Sequence, residues 1–190
     1  EEQAAASSEA SRKPENVMSL LTVDPLEIEL GYGLLGLADP AQGGDLMDRV
    51  GLIRRQVALD FGLVLPYIRV RDNIQLKPTQ YVAKLRGIEL AQGEIYPDHF
   101  LAMNPGSAAE DIAGIPTREP AFGLPALWVS QGQKEQAELA GYTVVEPAAV
   151  IATHLAELIK THASELLGRQ EAQALLDHVK ATSAAVVDEL

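Results

Sequence analysis

The chain is 190 residues long with 47% hydrophobic and 22% charged residues, enough apolar material for one large domain or two small ones, so an unfolded tail is excluded. It contains no cysteine, which removes disulfide scaffolds, thiolate metal sites and cysteine nucleophiles together. Its formal net charge of −12 argues against nucleic acid as the main partner, and no apolar run approaches the roughly 18 residues needed to cross a bilayer.

Residues 1 to 16 are rich in Ala, Ser and Glu without apolar periodicity, and read as a linker. Leu26-Glu-Ile-Glu-Leu30 alternates strictly, the pattern of a half-buried strand. After Pro40 and Gly43-Gly44, Asp45 is placed to cap a helix with Leu46, Val50, Ile53 and Val57 on one face, ending near Gly62. Leu65 to Val70 reads as a strand running into an Arg71-Asp72-Asn73 turn. Tyr81 to Gly93 reads as a hairpin with its bend at Arg86-Gly87 or somewhat later. Phe100 to Met103 is a further strand, and Asn104 through Pro125 a loop punctuated by Pro and Gly. A strand at Ala126 to Val129, a helix at Gln133 to Ala140 stopped by Gly141, and a strand at Tyr142 to Val145 follow. Pro147 opens a long helix whose stripe Val150, Ile151, Leu155, Leu158, Ile159, His162 and Leu166 is continuous. Past Gly168, Gln170 to Lys180 forms another with Leu175, Leu176 and Val179 inward. The fold class is therefore α/β: small mixed subdomains followed by the start of an all-helical one.

Charge is segregated along the chain. Residues 49 to 88 carry eight basic and two acidic side chains, a local +6, which leaves −18 elsewhere. Such a division either steers association or simply decorates solvated faces.

Gly31-Tyr32-Gly33-Leu34-Leu35-Gly36 spells GxGxxG after a strand, the pattern of a dinucleotide-binding turn. The residues after it, Leu37 to Pro40, read as strand and loop rather than the helix such a turn requires, so these glycines read as packing positions, with a nucleotide-binding enzyme as the alternative. His99, His154, His162 and His178 show no metal-ligand spacing and read as core or interface histidines. Neither Ser130 nor Ser164 has a nucleophile context. No catalytic residue, metal site or cofactor is indicated. The segment Gly114 to Trp128 holds Phe122 between stiffening prolines, an arrangement that either presents an aromatic anchor at low entropic cost or plugs the core.

Leu30-Gly-Tyr-Gly33, Ile53-Arg-Arg-Gln56, Ile68-Arg-Val-Arg-Asp-Asn73, Pro120-Ala-Phe-Gly-Leu124, Gly141-Tyr-Thr-Val-Val145, Ala152-Thr-His-Leu155 and Leu167-Gly-Arg-Gln-Glu171 together resemble the cytoplasmic domain of the type III export-gate family, in its flagellar branch. The resemblance runs collinearly from about Val23 to Leu190. It implies a linker at 1–22 leading from an inner-membrane region absent here, a first α/β subdomain at 23–97 and 147–166, a second inserted at 98–146, and the start of a truncated helical third at 167–190. It implies a non-enzymatic docking platform on the cytoplasmic side of the membrane, binding flagellar export chaperones with their substrates and taking part in substrate-class switching. Other export components, an ATPase complex and a switch protein, are implied partners, as is a homo-oligomeric, typically nonameric, ring; a purely structural ring subunit is the alternative. By position, Phe122 matches the aromatic of a chaperone-docking dimple, Thr153 a threonine beside it, and Glu119 an acidic rim residue. Pro105, Val145 and Val150 match dimple walls. Gly31 matches a glycine on which subdomain packing and motion depend.

Overall fold

The computed structural model describes residues 23–185 apart from 107 and 109. The linker expected at 1–22 lies outside the described residues, as does the end of the expected third subdomain.

The first sheet has the order β2-β1-β3-β4, with β1 at Leu26–Leu30, β2 at Ile68–Asp72, β3 at Gln80–Leu85 and β4 at Ile88–Glu94. β1 pairs parallel to β2 and antiparallel to β3. The parallel pair requires a crossover, which the short helix α1 (Leu35–Ala38) and the long helix α2 (Leu46–Phe61) supply. The alternation of β1 works as its sequence demands: Leu26, Ile28 and Leu30 are buried in the core, whereas Glu27 and Glu29 lie on the opposite face. β3 and β4 turn at Arg86 and Gly87, both left-handed (φ 49° and 80°), the geometry of a two-residue hairpin.

The second sheet has the order β6-β7-β5-β8, with β5 at His99–Met103, β6 at Ile115–Arg118, β7 at Pro125–Ser130 and β8 at Thr143–Val145. On one face α3 (Lys134–Leu139) closes a small cluster of Ala102, Val129, Ala137 and Tyr142. On the other, α4 (Pro147–Thr161) contributes Val150, Ile151, Leu155 and Ile159 to a large core shared with β1, β2, β3, α2 and the inner residues Leu101 and Trp128. This single helix therefore serves both sheets.

Several sequence expectations require correction. The segment 104–125 is not all loop: Ile115–Arg118 is the edge strand β6, where Pro116 is tolerated because an edge leaves one row of backbone donors unpaired. β2 begins three residues later than expected and includes Asp72. Asp45 does not cap α2 through its side chain; its carboxylate instead accepts a hydrogen bond from Arg49 at 2.7 Å. The long helical stripe breaks at His162 (φ −107°, ψ 20°), after which α5 (Ala163–Leu166) is a separate turn. In α6 (Arg169–Thr182) no residue is buried, and Leu176 and Val179 are exposed rather than inward.

Segregated charge is also neutralised within the fold. Arg49 meets Asp45 and Glu146, Arg69 and Arg71 meet Asp24, Arg71 also reaches Glu27, and Lys84 pairs with Glu29. Burial works against the charge of Glu29, yet hydrogen bonds from Lys84 and Asn73 hold its carboxyl below the usual glutamate range. Half of the basic residues of 49–88 thus face carboxylates drawn from outside that stretch, and the bland reading of the +6 segment is the better one.

Candidate docking site at the end of the second sheet

Strand register decides where Phe122 goes. Arg118 pairs with Pro125 and Met103 with Ala126, so the β6–β7 connection and the residues following β5 emerge at the same end of the second sheet. Phe122 occupies the tip of that connection and Pro105 stands just beyond β5.

The connection is tightly tied. The Glu119 amide donates to the Leu124 carbonyl and the Gly123 amide to the Glu119 carbonyl, each at 2.8 Å, and Gly123 adopts φ 68°, a conformation that favours glycine. The Arg118 guanidinium donates to the Gly123 carbonyl at 2.8 Å. Inside the loop, the two oxygens of Glu119 accept from the amides of Ala121 and Phe122, both at 2.8 Å. Glu119 is only 4% exposed, so its charge is compensated by the backbone rather than offered to solvent. The family resemblance implies an acidic rim residue at this position; the geometry instead makes Glu119 the internal support of the loop. The Phe122 ring, by contrast, is 60% exposed, which decides against the core-plug alternative.

The remaining expected residues separate into surface and support. Thr153 is exposed on α4, and Val145 is half-buried in β8 opposite Leu101. Val150 is 2% exposed and belongs to the main core, so it can only back such a site from behind.

His154 and its partner show what the sequence reading missed. The Tyr81 hydroxyl lies 2.6 Å from His154 Nδ1, and both rings are buried in an edge-on contact. Burial pushes the His154 pKa down, with Glu119 opposing, and pushes the Tyr81 hydroxyl up, with Glu119 adding to the shift. The residues are 73 positions apart, and no local pattern links them.

Gly31 and Gly33 are packing residues. Their amides donate to the carbonyls of Gln80 (2.7 Å) and Pro78 (3.0 Å), so they are not available to cradle a pyrophosphate. A Cβ on Gly31 would lie 2.0 Å from the Lys77 carbonyl oxygen. A helical turn does begin inside the motif, contrary to the sequence reading, but α1 spans only four residues. Gly36 faces the Gln42 side chain, a nearer relative of ordinary packing than of ligand approach.

Comparison with known proteins identifies the family and the fold. The sequence profile of the FHIPEP family matches residues 1–190. The flagellar biosynthesis protein FlhA of Bacillus subtilis is 53% identical over 179 residues, 94% of this chain and 26% of that protein, so the chain spans about a quarter of the relative's length. The solved Chlamydia pneumoniae CdsV protein superposes with a TM-score of 0.75 at 26% identity, over 88% of this chain and 51% of that one. Nonameric EPEC SctV-C, 18% identical, shares the fold with a TM-score of 0.60 over 89% of this chain and 49% of that one. Family profile, sequence identity and fold converge: the chain belongs to the FHIPEP family.

Proposed function

We propose that this chain is a non-enzymatic docking module of the flagellar type III protein export gate, and that the Phe122 loop captures export chaperones carrying their substrates and takes part in switching between substrate classes. The observation that carries the reading is an aromatic ring displayed to solvent on a loop whose own backbone is fixed by the buried Glu119 carboxylate. A rigid exposed aromatic is how hot spots are built, because little entropy remains to be lost on binding. Thr153 is exposed on α4, Val145 is half-buried in β8, the strand on the far side of β5, and Pro105 stands at the loop's end of the sheet; together they supply apolar and hydroxyl groups suited to the apolar stripe of an amphipathic helix.

In this reading residues 23–97 and 147–166 form the first subdomain, 98–146 the inserted second, and 167–190 begin the third. The nonameric assembly of EPEC SctV-C supports a ring for the longer protein. This portion lies in the cytoplasm, joined through 1–22 to a part in the inner membrane, and further partners are the ATPase complex and the switch protein of the apparatus.

Calorimetric titration of cargo-loaded flagellar chaperones into the chain tests the proposal, with a thermal-shift screen against NAD, ATP and GTP run in parallel. Saturable capture of the chaperones is the expected result. Absence of capture by a folded chain would leave only a structural ring role, and stabilisation by a nucleotide would favour the enzyme alternative.

A further inference from the structure

An arginine occupies a backbone position that suits smaller residues. Arg86 and Gly87 are the central residues of the β3–β4 turn, and Arg86 (φ 49°) is the one residue other than glycine with a positive φ among the described residues. Turns of this kind favour Asn-Gly, Asp-Gly or Gly-Gly. A Cβ in the left-handed region crowds the neighbouring carbonyl, and arginine, unlike asparagine, makes no local hydrogen bond to offset it. A residue held against local preference points to a contact elsewhere in the fold.

That contact lies 79 positions along the chain, where the Arg86 guanidinium donates to the Glu165 carbonyl at 3.1 Å. The turn that carries it is fixed to the first sheet, since the Arg86 amide donates to the Pro25 carbonyl, just before β1, at 3.1 Å. Glu165 belongs to the last turn of α5, whose carbonyls have no partner within the helix and are open to capping by a basic side chain.

The joint between α5 and α6 follows at once. Leu167 (φ −79°, ψ 88°) and Gly168 (φ −84°, ψ 179°) leave the helical conformation, and α6 starts without a side-chain cap. A Cβ on Gly168 would lie 3.2 Å from Arg86 Nη2 and 2.5 Å from Glu171 Oε2. The guanidinium and the carboxylate of α6's first turn therefore converge on one point of the joint. Before the joint, Leu166 is buried in the main core; beyond it, no residue of α6 is buried. A groove of about 510 Å³ also lies between Val64, Leu65 and Pro66 of the α2–β2 connection and Ala174, Leu175 and His178 of α6. Packing thus leaves the direction of α6 open, and the polar contacts around Arg86 remain to set it.

We propose that Arg86 is a clip: carried on a turn anchored to the first sheet, its guanidinium holds the α5–α6 joint and fixes the direction in which α6 leaves the core. Loss of the clip frees the joint and spares the hairpin.

Pulsed EPR on the intact chain tests this. The chain has no cysteine, so spin labels can be placed by Ala58→Cys on α2 and Ala181→Cys near the end of α6, both exposed positions. With Arg86 present, one narrow distance distribution is expected. Arg86→Asn suits the left-handed turn but is too short to reach Glu165. Its melting temperature should be no lower, while the displaced population grows about fivefold, the equivalent of one net hydrogen bond lost. Arg86→Gly serves the same purpose if Arg86→Asn does not fold. Arg86→Lys, which keeps a donor and most of the reach, should restore the narrow distribution. A role confined to the turn would move the melt and leave the distance alone. A narrow distribution in folded Arg86→Asn or Arg86→Gly, a wild type already as broad as these variants, or an Arg86→Lys as loose as Arg86→Asn overturns the proposal.

Discussion

Replacing Phe122 by Ala isolates the anchor from the fold. A phenylalanine side chain offers about 200 Å² of apolar surface. With the residue 60% exposed in the free chain, about 120 Å² remains for a partner to cover, worth about 3 kcal/mol at 25 cal/mol per Å². Alanine retains part of that area, so the expected loss is about 2 kcal/mol, or roughly 30-fold in Kd. By the same arithmetic about 80 Å² is covered in the free chain, and alanine keeps part of it, so folding stability should fall by no more than about 1 kcal/mol; the loop hydrogen bonds, made by backbone, Glu119 and Arg118, do not involve the ring. The assay is calorimetry with a cargo-loaded chaperone, accompanied by a thermal melt of each protein. An unchanged Kd in a variant with a wild-type melt would refute the anchor. A large drop in melting temperature would refute the claim that the ring is surface rather than core.

Gly31→Ala places a methyl against the carbonyl oxygens of Lys77, Pro78 and Gln80, all backbone, and should cost more than about 2 kcal/mol in a urea titration. Glu119→Ala leaves the amides of Ala121 and Phe122 unpaired beside a buried site and should destabilise by about 2 kcal/mol, while Glu119→Gln, which keeps one good acceptor, should cost less in the same titration. Because burial lowers the His154 pKa in the folded chain, the unfolded chain binds the proton more readily. That contribution to stability is whole above the ordinary histidine value of about 6.5 and is lost as pH falls below it, so urea midpoints should decline over that range and decline less in His154→Gln. Glu29 acts at lower pH: its stabilisation is present above about 4.3 and lost on further acidification, and Lys84→Met should flatten that segment of the profile.

Local chemistry made much of the architecture legible. The alternation of Leu26 to Leu30, the helical spacing from Leu46 to Val57, the Arg86-Gly87 bend and the proline opening α4 each report a preference that acts within a few residues. Strand β6 escaped because Pro116 and the surrounding Pro and Gly residues read as a loop; only the pairing with β7 reveals it. The site divided along the same line. Phe122 could be identified from its stiff flanks and the family resemblance, but whether it faced solvent depended on the tertiary fold. The inward turn of Glu119 and the Tyr81–His154 contact depend on segments far apart in sequence, and the closed position of Val150 on how α4 rolls against the core. A helical stripe says which residues share a side, not which of them a neighbouring element will cover.

The return of the chain through α4 has a kinetic consequence. Val150, Ile151, Leu155 and Ile159 complete a core whose other walls come mainly from residues 26 to 95, with Leu101, Ala126 and Trp128 from the second sheet, so a ribosome must deliver the whole second sheet before the first can close. The second sheet's strands lie within a span of 47 residues and can pair early, whereas the first waits with an apolar face uncovered. During synthesis that waiting face is the region most open to misassociation and to capture by folding chaperones.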